Sequence, residues 1–466
     1  MEQLTEDKKK SEFALFYKRI TDLLAARGHE QALKELKAVP FKELRKSPAL
    51  LNAFGVALRA SGQSASAITM YNFALQIDPR NSGTWSNLGN AFKDANFLAA
   101  SIAAHQKALV CAATPSVQLW HNQGLAFSNA GQHSRAIHSF EQAIALAPKS
   151  DYLRWDLSRS QLALGDYEQG FFNYQYRWNM DEAPPRRVFG REWDGTPLPA
   201  ETPLFVYVEQ GFGDYIQCAR YLKSLPELVA TLEVEVKPEL ESLMRHSFPH
   251  IRFVKHQEQR VDKKQGLVVS LLDLPRYVMA RQTLDGAPYL HAPAAREELA
   301  GAIAQNVKAR KAKHIGIVWS GSTTFKRNQY RAAPLEWFAS TLSVPGAVLH
   351  SLQMGPRAQD LRKLPDAPIS EQLVQHIASF ADSAHAVQSL DLVITTCTSI
   401  VHLCGALGVP CWALLDYSPH WLWGPSALDS PWYKSVRLWR QTAPGDWRSV
   451  FDQVASELMR SETPPP

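Results

Sequence analysis

Long apolar runs are missing from this chain: none approaches the roughly 20 residues that span a bilayer, so no transmembrane helix is expected. Cysteine is scarce, with five in 466 residues, at 111, 218, 397, 404 and 411. An odd and sparse count excludes a disulfide scaffold and fits free thiols in a reducing cytosol. Cys397, Cys404 and Cys411 are evenly spaced but lack the C-x-x-C pairing of a structural zinc site, so buried thiols are expected there and no metal. Charge of one sign is missing too. The net charge is only +5 and no Lys/Arg block marks a phosphate-tracking stripe, which argues against a nucleic-acid partner but not against a small anionic ligand. The opening residues, MEQLTEDKKKSEF, mix both signs without an apolar core and do not read as a secretory signal. A folded, cytoplasmic protein of two or three domains is the expectation.

What is present, first, is a repeat. Gly55, Gly89 and Gly124 recur at intervals of 34 and 35 residues. A large apolar residue precedes each by four positions (Leu51, Trp85, Trp120), and another follows by three (Leu58, Phe92, Phe127). Gly28, Gly62, Gly131 and Gly165 keep a second phase, with Asn96 in the intervening place. Ala67, Tyr71, Ala74 and Pro79 return as Ala136, Phe140, Ala143 and Pro148. Small residues allow two antiparallel helices to approach, an aromatic fills the gap, Gly or Asn ends the first helix, and proline stops the second. The pattern resembles the tetratricopeptide repeat over 48–81, 82–115 and 117–150. A unit at 14–47 is degenerate, and one at 151–180 carries Ser158 in place of the packing glycine, as expected of capping ends. Such a stack either spaces the protein or grips a protein partner in its groove.

An aromatic- and Arg-rich junction follows (181–202), too aromatic for a floppy linker. Trp178 and Trp193 are expected to anchor the repeats against the next domain.

From about residue 203 short β-rich runs alternate with amphipathic segments. LFVYVEQ, LEVEV, IRFVKH and LVVSLLDL read as strands of a first series over 203–292. HIGIVWS, AVLHSLQ, DLVITTC and VPCWALLD belong to a second over 293–466, after a break at 290–312. Alternation of this kind implies parallel sheets flanked by helices, in two Rossmann-like halves. The fold class expected is therefore α plus α/β: a helical repeat domain over 1–180, then two Rossmann-like halves, which on spacing alone fit either the facing halves of a GT-B domain or any other two-domain α/β protein.

Ligands of parallel sheets bind at the carboxyl ends of the strands. After the first strand comes Gln210-Gly211-Phe212-Gly213-Asp214; Asp214 reads equally as a general base or as a helix N-cap. After HIGIVWS come Ser320 and Gly321, then Lys326, Arg327 and Arg331, a combination suited to a diphosphate or to a solvated basic loop. After DLVITTC, Thr398 and Ser399 open a helix with His402 one turn in, where phosphate binds well and where a satisfied interior histidine fits as well. The aromatics from Asp416 to Trp423 can stack on a ligand or pack a lid.

As a set, EQGFGDYIQCARYL, GIVWSGS with Arg331-Ala-Ala-Pro-Leu, FADSAHAVQSLDLVI, TSIVHLCGALGVP and DSPWYKSVRLWRQTAPGDW resemble bacterial proteins that couple tetratricopeptide repeats to a domain akin to the lipopolysaccharide heptosyltransferases, glycosyltransferase family nine-like, of the GT-B fold. The resemblance spans about 48–458. It implies inverting, metal-independent transfer from a nucleotide-sugar substrate, with no other cofactor. Asp214 matches the base, and Ser320, Gly321, Thr398, Ser399 and His402 match the donor site. It implies a protein or glycan acceptor, with flagellin among those of relatives and an envelope component as another, recruited by the repeats. One departure stands out: Cys397 sits where the family usually has an acid, and a thiol holds a sugar hydroxyl weakly. The competing reading is therefore a repeat scaffold whose transferase-like domain has lost catalysis.

Overall fold

The computed structural model describes residues 2–180, 187–259, 261–279, 285–308, 311–426 and 428–460. The first six residues of the expected 181–202 junction, and residues 309 and 310 of the break at 290–312, lie outside the described residues. The chain forms two compact units, one ending at Gln161 and one beginning at Leu162.

The first unit is built from helix pairs. Pro48–Ala60 packs on Ser64–Ile77, Ser82–Asp94 on Leu98–Cys111, and Val117–Asn129 on His133–Leu146. Ser47, Asn81 and Ser116 cap the first helix of each pair, their side-chain oxygens accepting from Leu50, Thr84 and Leu119 N–H. The glycine phase has the expected cause. A Cβ on Gly55, Gly89 or Gly124 would come within 2.4, 2.6 or 2.5 Å of the ring of Tyr71, His105 or Phe140, the residue facing it from the second helix. Asn96 does adopt the left-handed turn, at φ 64°. In the degenerate first unit the left-handed residue is Arg27 (φ 60°), not Gly28, whose φ is −78°. Neighbouring repeats are tied by matched polar contacts: Asn87 Nδ2 donates to Asn52 Oδ1 (3.0 Å), Asn122 Nδ2 to Ser86 Oγ (3.0 Å), and His121 Nε2 meets Asp156 Oδ2 (2.7 Å).

The second unit holds two all-parallel sheets. The first contains β1 (Val188–Glu192), β2 (Leu204–Tyr207), β3 (Leu232–Val236), β4 (Arg252–Lys255) and β5 (Val261–Ser270), in the order β1-β5-β2-β3-β4. The second contains β6 (Lys313–Val318), β7 (Ala347–Ser351), β8 (Ile369–Ser370), β9 (Leu392–Thr396), β10 (Cys411–Leu415) and β11 (Val436–Arg440), in the order β11-β10-β9-β6-β7-β8. Counted from β6, this is the 3-2-1-4-5-6 arrangement of a doubly wound sheet, whose direction of winding reverses between β6 and β9.

Two segments differ from expectation. LVVSLLDL stops being a strand at Ser270: its hydroxyl accepts from Leu272 N–H (3.2 Å), and Leu271–Asp273 and Leu274–Val278 are helical, with Pro275 in the first turn. The junction contributes β1, pairing with β5. Trp178 and Trp193, expected as anchors between the repeats and the next domain, make aromatic contacts with Tyr207 and Tyr277. Among the described residues no helix is long and apolar enough to cross a membrane. None of the five cysteines is in a disulfide.

His105 generates a prediction. It occupies the slot that Tyr71 and Phe140 fill in the flanking repeats, and neither ring nitrogen has a hydrogen-bond partner among the described residues. Burial, helped by Lys93 and Arg59, pushes its pKa down to about 4. The folded value lies below the unfolded one of about 6.5, so stability is intact above pH 6.5 and is lost as pH falls toward 4. In denaturant melts, parent and His105→Phe are expected to diverge by about 3 kcal/mol between pH 7 and pH 4, the parent being the one that weakens.

Candidate functional site

The outgoing ends of β2, β6, β7, β9 and β10 converge on one cavity of about 1010 Å³. Within each sheet the parallel strands hand their chains on at one edge, and the outgoing edges of both sheets line this cavity. All the residues singled out from sequence line it except Lys326: Gln210, Gly211, Gly213 and Asp214 on one wall, Ser320, Gly321 and Arg331 on another, and Thr398, Ser399 and His402 on a third. Lys326 is exposed. A loop has no period to fix where a side chain points, so its charge alone did not place it.

Asp214 stands in the first turn of the helix Phe212–Ala219. Burial pushes its carboxyl up to about 6; the N–H groups of Gly211 and Asp214 itself oppose the rise, Glu209 adds to it, and Lys237 opposes it. The N-cap position belongs to Gly211, and from the first turn the Asp214 carboxyl takes up the Gly211 N–H, so a capping contact and a titratable carboxyl coexist there. A carboxyl with this pKa both accepts and releases a proton near neutrality.

His402 lies against the same loop: a Cβ on Gly213 would sit 3.0 Å from its Cδ2. Its Nδ1 meets the Tyr433 hydroxyl (3.0 Å), and its ring stacks on Trp423 at 5.4 Å. Burial, with His420, Arg220 and Arg331 adding, pushes its pKa down to about 3. His402 therefore faces the cavity as a neutral imidazole whose Nε2 is a hydrogen-bonding group, not as a cation. Trp423 also donates its indole N–H to Cys397 Sγ (3.2 Å). Burial raises the Cys397 pKa, so the thiol stays protonated.

In the loop after β6 the first backbone N–H groups already have partners. Ser320 N–H donates to Gln353 Oε1 (2.9 Å) and Gly321 N–H to Asn328 Oδ1 (3.1 Å); Asn328 Nδ2 donates to Ser320 Oγ (3.1 Å). Two amide side chains thus fix the loop from within. The loop also turns Arg331 toward the cavity. Its guanidinium lies over Gly321, where any Cβ would collide with it, and over Phe325 at 4.5 Å. Its Nε donates to Asn328 Oδ1 (3.2 Å), and no ion pair among the described residues includes it. Arg327 is held differently, by Asp416 Oδ2 (3.2 Å) and Ser418 O (2.7 Å). At the start of the helix Ser399–Leu407, the Thr398 hydroxyl accepts from Ile400 N–H (3.3 Å) as the cap, which leaves Ser399 as the hydroxyl facing the cavity.

Sequence reasoning missed Gln353, Asn328 and Gln217. Gln353 was findable by the rule that found the others, since it follows β7. Gln217, a buried lining residue one turn after Asp214, has no partner for its amide nitrogen among the described residues. Among the described residues no group of three or more His, Cys, Asp or Glu is placed to hold a metal ion.

Known proteins match as follows. Residues 117–150 match the tetratricopeptide repeat family. The chain is 27% identical over 444 residues to Protein FlbA of Caulobacter vibrioides, covering 87% of this chain and 72% of that protein. Among solved structures, MamA (41-end) of Desulfovibrio magneticus is 18% identical, covering 36% of this chain and 97% of its own, with a TM-score of 0.32. PilF of Pseudomonas aeruginosa is 17% identical, covering 35% and 73%, with a TM-score of 0.30.

The raised Asp214 pKa carries a stability signature. Its folded value of about 6 lies above the unfolded value, so its contribution is fully present below about pH 3.9 and is lost as pH rises through 6. Asp214→Asn is expected to be more stable than the parent at pH 8 by on the order of 2 kcal/mol, with the gap closing by pH 4, in paired chemical melts.

Proposed function

We propose that the α/β unit is a nucleotide-sugar-dependent glycosyltransferase of GT-B type, inverting and metal-independent, and that the repeats recruit its protein or glycan acceptor. The observation that carries this reading is the pairing, in one cavity, of a carboxyl tuned to about 6 with a guanidinium free of carboxylate partners among the described residues. The cation lies at the crevice between β6 and β9, where a doubly wound sheet binds nucleotides.

In the proposed reaction Asp214 accepts the proton of an acceptor hydroxyl as that oxygen attacks the anomeric carbon of the donor sugar. The bond to the nucleotide phosphate breaks, and its electron pair leaves with the phosphate. A single displacement of this kind inverts the anomeric centre. Arg331, with the Ser399 hydroxyl and the first N–H groups of its helix, stabilises the charge that develops on the leaving group. Neutral His402 presents Nε2 to a sugar or phosphate oxygen. We place the reaction in the cytoplasm and the acceptor among flagellins or envelope components, following the family resemblance.

A second reading, a repeat scaffold with an inactive transferase-like domain, is favoured by one observation: Cys397, in the place of an acid, is a protonated thiol engaged by Trp423. Against it, the aromatics after Asp416 line the cavity instead of filling it, and about 1010 Å³ stays open.

Thermal shift and calorimetric titration with nucleotides and nucleotide sugars decide between the readings. One nucleotide class is expected to raise the melting temperature. Arg331→Ala should weaken that binding by about tenfold or more, since a charge-assisted hydrogen bond is worth about 1.5–3 kcal/mol. Lys326→Ala should stay within about twofold of the parent, a change below about 0.5 kcal/mol. Asp214→Asn should bind the nucleotide but transfer nothing. No shift with any nucleotide at millimolar concentration sinks the enzyme reading in favour of the scaffold.

A further inference from the structure

Three consecutive residues leave β2 for the Asp214 helix, and a different cation grips each. Arg187 donates to Val208 O (2.8 Å). Arg177 donates to the Glu209 carboxylate through Nη2 (2.5 Å) and Nε (3.2 Å). Lys237 Nζ donates to Gln210 O (2.6 Å). Each cation is itself anchored. Arg187 is paired with buried Glu235 on β3, and that carboxylate also accepts from Val208 N–H (3.0 Å). Arg177 donates to Asp273 Oδ1 (2.7 Å), just beyond β5, and its guanidinium lies 4.9 Å from the Tyr174 ring and 4.8 Å from Trp178. Lys237 follows β3 and lies 5.2 Å from the Phe212 ring. Ser270, the last residue of β5, donates to Glu209 as well.

This density needs an explanation. Ion pairs buried this far gain little net stability over apolar packing, because desolvating the charges offsets their attraction. What they give is a single geometry: a bidentate guanidinium fixes the plane and direction of the carboxylate it holds. Glu209 lies five residues before Asp214, and between them stand two glycines that alone would leave the turn loose. We propose that Arg177, Arg187 and Lys237 form a clamp on the exit of β2, and that Arg177 is the positioning residue that holds Asp214 at the cavity wall. The clamp stands on its own contacts; the positioning role rests on the reading of Asp214 as the base.

Arg177 follows the helix Tyr167–Tyr174, whose Phe171 and Tyr174 line the cavity. Removing Arg177 also strips Glu209 of its counter-charge, and Glu209 already raises the Asp214 pKa. The other groups acting on or around Asp214 are Lys237, Tyr174, Cys218, Cys397 and His402. Arg177 also lowers the Tyr174 and Cys218 pKa values, so its loss pushes both further up and leaves both neutral, and the uncompensated Glu209 charge sets the direction of the shift.

The test is hydrogen–deuterium exchange on the full chain, comparing the parent with Arg177→Met and Lys237→Met. In both variants exchange over residues 208–214 is expected to rise about tenfold, while 313–318 and 392–407 stay as in the parent. Unchanged exchange at 208–214, or an equal rise throughout the unit, overturns the clamp. Should Arg177→Met fail to fold, Lys237→Met, at a less buried site, decides by the same criterion. The positioning role is read from the pH profile of transfer. Arg177→Met should lower kcat with little change in KM for the donor, and move the acidic limb to higher pH. Arg177→Lys, which restores the charge but not the fork, should return the limb but not the full kcat. A parental pH profile in Arg177→Met overturns positioning. Local loosening without transfer by any variant or by the parent leaves the clamp standing and removes the enzyme reading.

Discussion

A parallel sheet cannot turn back on itself. Each strand must leave at the same edge, cross over, and re-enter at the opposite edge, so the connecting loops of every strand crowd one rim. Most of the chemistry of this protein follows from that constraint. Asp214, Gly321, Gln353, Ser399 and Asp416 are up to about two hundred positions apart in the chain, yet each stands just past the end of a strand and all line one cavity. The reversal of winding between β6 and β9 opens the crevice in which Arg331 and the helix beginning at Ser399 meet.

Burial then assigns the roles. The rim is deep enough that charge is costly, and the same desolvation raises the Asp214 carboxyl and depresses the His402 imidazole. One becomes a group that exchanges protons near neutrality, and the other becomes a neutral dipole. Charges that are not meant to titrate are paired: Arg177 with Glu209 and Asp273, Arg187 with Glu235, Arg327 with Asp416. Arg331 is the exception among the arginines lining the wall: among the described residues it has no carboxylate partner.

The parts legible in the sequence were those with a period or a punctuation mark. Gly55, Gly89 and Gly124 announced close helix approach, and each does face a ring. The apolar runs marked strands, and the residues after them marked the cavity. What stayed hidden depends on contacts with no sequence period. Nothing near Glu209 announces that Arg177, 32 positions earlier, grips it. Nothing in Ser320-Gly321 shows that Gln353 and Asn328 occupy those N–H groups, or that Lys326 turns away while Arg331 turns in. β1 was hidden for a related reason: VFGRE is short and carries glycine and charge, and pairing with β5 makes it a strand.

In an array of helical repeats each unit touches only its neighbours, so the chain of units has no long-range contacts to share a load. The polar ties between Asn52 and Asn87, and between Ser86 and Asn122, link the middle repeat to both sides. Of the three matched repeats, that one is filled by a five-membered, ionisable imidazole where its neighbours carry six-membered rings. Cooperativity in such an array is only as long as its weakest interface allows. Acid therefore acts on the stack from within its middle unit, between that unit's own two helices, and the loss passes outward to both neighbours instead of starting at the ends.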